Sequence, residues 1–111
     1  MYFRITIPAL QDGKKEEAIT FVKDKVMPEF DGTPGLISMT AAITGETSGI
    51  NMSAYENKEA SEAVAEKVQA TLAEAASFMA APPVIYEGEA VFGKVYPDIN
   101  KEEKKPGYMR L

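Results

Sequence analysis

The stretch "INMSAYENKEA", residues 50–60, changes from the pattern of a strand to that of a helix. In its first half apolar residues alternate with polar ones, which is the period of a half-buried strand. Asn57 then precedes "KEA", and asparagine is a favoured N-cap because its side chain accepts a hydrogen bond from the first helical turn. The stretch therefore predicts a strand that leads directly into a helix.

Upstream of this stretch, the chain begins with a strand and a helix. Residues 2–7 alternate in the same way and end at Pro8, which predicts the first strand. Asp12 can cap the helix that follows, whose apolar residues recur at steps of three and four. Pro28 bends or ends that helix near its last turn.

The remaining elements follow from turn residues and from two further patterns. "DGTPG" at 31–35 predicts a turn, and residues 36–44 and 50–55 predict the two strands of a hairpin. A second helix has an apolar stripe from Ala60 to Met79, and after a Pro-Pro pair residues 84–95 predict a fourth strand.

The order strand, helix, strand, strand, helix, strand is the ferredoxin-like arrangement. It is an α+β fold, with an antiparallel sheet and both helices on one face. We expect one domain over residues 1–96 and a charged C-terminal arm over residues 97–111 that ends in the apolar "YMRL".

Apolar residues occur on both faces of the first and fourth strands, although helices cover only one face of such a sheet. An exposed apolar patch of this kind usually marks an interface. Two sheets packed face to face would bury the patch symmetrically. We therefore expect a homodimer, and we expect the arm at 97–111 to pack on the partner subunit.

Composition excludes several classes of function. The 111 residues suit one globular domain, and the net charge of −5 disfavours a nucleic-acid partner. The sequence contains no cysteine and no histidine, so thiolate and imidazole bases and ligands are excluded, and we expect neither a metal nor another cofactor. The N-terminus does not resemble a signal peptide and prolines interrupt the most apolar stretch, so we expect a cytoplasmic protein without a membrane partner.

Several segments resemble the antibiotic biosynthesis monooxygenase-like family of dimeric α/β barrels. They are the first strand ending in proline, "VMPEF", "GTPG", "SAYENKEASEA" and "FMAAPPVIYEGE", and the resemblance covers about residues 1–95. It implies a homodimer with a small-molecule pocket between the sheet and the helices. Members of the family include cofactor-independent oxygenases of phenolic polyketides and haem-degrading enzymes.

The resemblance implies two catalytic residues, Asn51 and Tyr55. Asn51 matches an asparagine that the oxygenases can carry, and Tyr55 occupies the position of a tryptophan in the family. The haem-degrading branch has a histidine on the second helix, where the region near Ala65 has none. The resemblance therefore implies no haem degradation by the usual ligation.

Asn51, Ser53 and Tyr55 share one side of their strand, because side chains two residues apart point the same way. They either orient a phenol or enolate and stabilise its developing negative charge, or they form an ordinary polar sheet surface with Tyr55 packed against the first helix. The expected apolar walls of the pocket come from the two helices: Phe21, Val64 and Val68.

Arg4 and Tyr86 complete the candidate ligand contacts. Arg4 lies in the middle of the first strand, where it either pairs with Glu87 or Glu89 or, if free of them, binds a substrate carboxylate. Tyr86 lies on the fourth strand and either contacts the ligand or forms a core or dimer contact.

Two functions of different class stay open. One is a cofactor-independent monooxygenase that acts on an aromatic or enolisable substrate. The other is a non-catalytic dimeric module that binds a small hydrophobic or aromatic ligand or a partner.

Overall fold

The structure is a computed structural model that describes residues 1–94 and 96. Its elements are β1 (Tyr2–Leu10), α1 (Lys15–Phe21), a π-helical segment (Val22–Val26), α2 (Met27–Phe30), β2 (Leu36–Gly45), β3 (Ser48–Tyr55), α3 (Lys58–Ala63), α4 (Ala65–Glu74), a 3-10 helical turn (Ala75–Phe78) and β4 (Met79–Glu89). The strands form one antiparallel sheet in the order β2-β3-β1-β4, with the helices on one face. The predicted ferredoxin-like α+β fold is confirmed, whereas the arm at 97–111 lies outside the described residues.

The prolines of the first and fourth strands lie inside the strands, contrary to the sequence prediction. β1 continues through Pro8, and β4 is Met79–Glu89 rather than 84–95. The register between β1 and β4 shifts between Ile7 and Leu10, opposite the Pro-Pro pair. Proline is tolerated there because β4 is an edge strand and the pairing is irregular, so few ladder hydrogen bonds are lost.

The first predicted helix consists of three consecutive segments. Asp12 does not cap it, because Lys14 occupies the N-cap position and makes no side-chain hydrogen bond there. The π-helical segment separates α1 from α2, and Pro28 lies in the first turn of α2. Since proline has no N–H, it cannot donate the α-helical hydrogen bond to the preceding turn, which favours an irregular helix at this point.

The predicted turn and the predicted cap of α3 are both confirmed, and they lie against each other. Asn57 Oδ1 accepts a hydrogen bond of 2.9 Å from the N–H of Ala60. Gly35, with φ +78°, ends the turn, and a Cβ on this residue would come within 2.5 Å of the Ala60 Cβ. Glycine is therefore required both by the backbone conformation and by the contact with α3.

Two lysines connect α2 with α4 above the sheet. Lys25 bridges Glu29 at 3.0 Å and Glu74 at 3.1 Å, and hydrogen bonds to these carboxylates raise the pKa of Lys25 above its ordinary value. Lys67 lies 4.6 Å from the ring centroid of Phe30 and donates a hydrogen bond to the Glu29 carbonyl. Exposed ion pairs contribute little individually, so most of the packing energy comes from the apolar side chains beneath them.

A small apolar core joins the second half of α1, the 3-10 turn and the end of β1. Phe21 and Phe78 meet edge to face, with ring centroids 5.3 Å apart. The buried cluster and its closest neighbours are Leu10, Ala18, Phe21, Ala75, Phe78 and Met79. Within residues 1–94 and 96, no helix is long and apolar enough to cross a membrane.

The two faces of the sheet differ in an unexpected way. The helix-facing side of β1 and β3 carries polar residues, since Arg4 is paired in register with Ser53 and Thr6 with Asn51. The side that faces away from the helices, here called the outer face, is mainly apolar: Phe3, Ile5, Ile7, Ile50, Met52, Val84 and Tyr86. Several of these side chains are well exposed, among them Tyr86 at 60% and Val84 at 50%.

Candidate functional site

A cavity of about 120 Å³ lies between the sheet and the helices. Its upper wall consists mainly of apolar side chains from α1, the π-helical segment, α2 and α4, among them Phe21, Val22, Val26, Met27, Val68 and Leu72. An apolar cavity of about 150 Å³ in another protein holds benzene. At about 120 Å³ the cavity is somewhat smaller than that, so it has room for at most about one aromatic ring.

The floor of the cavity carries the polar side chains of the sheet. Thr6 and Asn51 lie opposite each other on β1 and β3, and both line the cavity together with Ser53. Within the described part of the chain, no side-chain hydrogen bond joins Thr6 or Asn51 to another residue. Both side chains therefore have donors and acceptors available for a ligand.

Arg4 is the centre of a buried hydrogen-bond network at one end of the floor. Its Nη1 donates to the Tyr55 hydroxyl at 2.8 Å, and its Nη2 donates to the Ser61 carbonyl at 3.0 Å and to Ser61 Oγ at 2.6 Å. Arg4 Nε lies 3.5 Å from Glu87 Oε1, and the guanidinium carbon lies 5.2 Å from the Tyr55 ring centroid. Of the two predicted roles, Arg4 therefore has the first: it pairs with Glu87 and is not free to bind a substrate carboxylate.

The same network explains why the second predicted helix is divided. In a continuous α-helix the Ser61 carbonyl would accept a hydrogen bond from the N–H four residues later. Here it accepts from Arg4 and, at 3.3 Å, from the N–H of Val64 instead. α3 therefore ends at Ala63, Val64 interrupts the helix, and α4 begins at Ala65.

Most of the candidate residues line the cavity. Arg4, Phe21, Asn51, Ser53, Tyr55 and Val68 do so. Val64 is not among the lining residues, since it occupies the break between α3 and α4. Tyr86 lies opposite Ile5, on the outer face, so the thickness of the sheet separates it from the cavity.

The structure also shows site residues that the sequence analysis did not single out. Thr6 is one, although its alternation with Ile5 and Ile7 already placed it on the same face as Arg4. Ser61 is another, and it is completely buried. A serine among the charged residues of a helix gives no sign of a partner 57 positions away in the sequence.

The fold is shared with solved structures of low sequence identity. A protein of unknown function from Nitrosomonas europaea matches with a TM-score of 0.74 and 18% identity, over 86% of this chain and 93% of that one. The ActVA-Orf6 monooxygenase of Streptomyces coelicolor, in complex with nanaomycin D, matches with a TM-score of 0.69 and 18% identity, over 87% and 92%. The chain has the antibiotic biosynthesis monooxygenase-like fold.

A third protein with this fold has a different ligand. The haem degrader MhuD of Mycobacterium tuberculosis, with two haems in its active site, matches with a TM-score of 0.69 and 18% identity, over 86% of this chain and 100% of that one. No protein-family model and no curated protein matches the sequence. The antibiotic biosynthesis monooxygenase-like fold thus accommodates ligands of several kinds, and the residues of the cavity must indicate the ligand of this chain.

Proposed function

We propose that the protein is a homodimer that binds a small aromatic or enolisable compound in the cavity and oxygenates it without a cofactor. The observation that carries the proposal is the Asn51 amide, which has no side-chain hydrogen bond to any described residue and lies in the floor of a mainly apolar cavity between sheet and helices. A few polar groups among apolar walls fix the orientation of a ring that carries an oxygen atom.

The reaction follows from this orientation. The Asn51 amide donates a hydrogen bond to the phenolate or enolate oxygen of the substrate and stabilises its negative charge. The carbanionic carbon then forms a bond with dioxygen, and the resulting hydroperoxide loses water and leaves a carbonyl group. One dioxygen is consumed: one of its oxygen atoms becomes the carbonyl oxygen, the other leaves as water, and the substrate supplies all the electrons.

The residues of the cavity limit the substrates that can react. Among the described residues that line the cavity, Arg4 and Tyr55 are the only ones with a basic or acidic side chain, and they are hydrogen-bonded to each other. Neither is placed to take a proton from the substrate, so the proton passes to water. The proposed substrate is therefore an electron-rich phenol or enol that ionises readily by itself.

Haem does not suit this site. The sequence has no histidine or cysteine that could bind its iron, and the Tyr55 hydroxyl accepts a hydrogen bond from Arg4. We therefore propose no haem chemistry for this chain.

The homodimer is proposed on the basis of the outer face. Its apolar side chains are exposed in the single chain, with Met52 at 40% and Tyr86 at 60%. Packing against the same face of a second copy would remove them from water and would form a closed assembly. The proposal extends to the arm at 97–111, which would pack on the partner subunit.

A non-catalytic ligand-binding module is the second candidate. It is favoured by the Tyr55 hydroxyl, which is almost completely buried and held by Arg4, so that it is not directed at a reacting atom. Tyr55 would then support the floor of the cavity, and Asn51 would orient a ligand that leaves unchanged.

Oxygen uptake with resorcinol distinguishes the two functions. Resorcinol has one ring, is electron-rich and enolises, and its oxygenation would consume one dioxygen and give a hydroxyquinone and water. We expect uptake with the wild type, a loss of at least tenfold in Asn51→Leu, and no change in Gln69→Leu, which removes an amide on the exposed side of α4. Binding of resorcinol without uptake would identify the non-catalytic module, and absence of binding would refute the site.

A further inference from the structure

We propose that Thr6, together with Asn51, makes the cavity selective for a neutral ring that carries a hydroxyl group, and that the cavity rejects carboxylates. The inference rests on the proposed ligand cavity and names the class of compound that it accepts. It assigns Thr6 a specificity-determining role.

The geometry of the sheet brings the two side chains together. Thr6 and Asn51 are paired in the register of β1 and β3 and line the same cavity. Side chains directly opposite each other on neighbouring strands have Cβ atoms about 4.5–5.5 Å apart. One ligand oxygen can therefore reach both residues.

The chemistry of the pair matches a hydroxyl group. The threonine hydroxyl can donate one hydrogen bond and accept others, and the asparagine amide provides both donors and an acceptor. A phenol can consequently donate to one residue and accept from the other. A hydrocarbon of the same size would fill the apolar space but would leave both polar groups unpaired, which lowers its affinity.

The state of Arg4 argues against a carboxylate ligand. Among the described residues that line the cavity, Arg4 is the one that is cationic, and its guanidinium already contacts Tyr55, Ser61 and Glu87. A carboxylate that entered would lose its hydration without finding a free cation. A carboxylate, which is already ionised before it enters, should therefore bind far more weakly than a neutral ligand of equal size.

Phenol, toluene and benzoate test the inference, since each has one ring and they differ in the substituent. Their dissociation constants would be measured by calorimetry at pH about 7, where phenol is neutral and benzoate is ionised. We expect phenol to bind about tenfold more tightly than toluene, as two modest hydrogen bonds imply, and benzoate to bind at least tenfold more weakly than toluene.

Thr6→Val removes the hydroxyl and keeps the shape of the side chain. This variant should reduce the preference for phenol over toluene severalfold without weakening toluene. Thr20→Val, at an exposed position of α1, is the matched control and should keep the full preference. Thermal unfolding of both variants would show that the fold is retained.

The outcomes separate this inference from the proposed function. Equal binding of phenol and toluene by the wild type, an unchanged preference in Thr6→Val, or benzoate binding as tight as that of toluene would overturn the inference while leaving the cavity as a ligand site. If none of the three compounds bound, the inference and the proposed ligand site would both fail.

Discussion

Removing the hydroxyl of Tyr55 tests the network that supports the floor of the cavity. Tyr55→Phe keeps the ring, which lies 5.2 Å from the guanidinium carbon of Arg4, and removes the acceptor that Arg4 Nη1 contacts at 2.8 Å. Arg4 is only 8% exposed, so water cannot readily replace the lost acceptor. A hydrogen bond that involves a charged group contributes about 1.5–3 kcal/mol, and we expect a loss of about 2 kcal/mol.

Urea unfolding measures this loss. With a slope of about 2 kcal/mol per molar urea, the midpoint should fall by roughly 1 M while the slope stays the same. All samples must have the same protein concentration, because association would shift the midpoint. Tyr96→Phe is the control, since Tyr96 is 65% exposed, and it should stay within about 0.5 kcal/mol of the wild type.

A result for Tyr55→Phe that matches the control would refute the reasoning, because Arg4 would then not depend on Tyr55. Ser61→Ala is a second test of the same hydrogen-bond network. It removes Oγ but retains the Ser61 carbonyl, which also accepts from Arg4. Its effect should therefore be smaller than that of Tyr55→Phe.

Three further changes test the fold and the proposed dimer. Asn57→Ala should cost about 1 kcal/mol of stability through loss of the α3 cap, and a thermal midpoint equal to that of the wild type would contradict the capping role. Phe78→Ala should cost about 3–5 kcal/mol in chemical unfolding because the ring lies in the buried cluster with Phe21, and a loss below about 1 kcal/mol would be inconsistent with that packing. In sedimentation at micromolar concentration the wild type should be a dimer of twice the 12.1 kDa chain mass, and Tyr86→Lys should be a monomer. Deletion of residues 97–111 should weaken the dimer. A wild type that sediments as a monomer would rule out the sheet-to-sheet assembly.

The order of elements was predictable because local patterns determine it. The alternation of β3, the Asn57 cap and the turn with Gly35 each act over a few residues, and together they give the ferredoxin-like order. The strand limits at Pro8 and in β4 were wrong, since proline is tolerated where the pairing is irregular, as around Pro8, and on an edge strand, as in β4. The cap at Asp12 was wrong because no local pattern showed that the helix would begin later.

The site was predictable only in part. Strand geometry placed Asn51 and Tyr55 on one side of β3, but nothing local decides whether that side faces the helices. In most half-covered sheets the residues under the helices are apolar, whereas here β1 and β3 place the paired polar residues Arg4 with Ser53 and Thr6 with Asn51 on that side. The contact of Arg4 with Ser61 joins residues 57 positions apart and depends on how the whole chain packs.

The π-helical segment gives the cavity wall a period of five residues. Phe21 and Val26 are five positions apart, as are Val22 and Met27, and all four line the cavity. In an α-helix the residue that lies above Phe21 would be Lys25, which instead pairs with carboxylates outside. Loss of a single residue between Phe21 and Val26 would reduce their spacing to four, which an ordinary α-helix brings to one face. A deletion at this point is thus a change that can alter the type of helix while the same side chains continue to line the cavity.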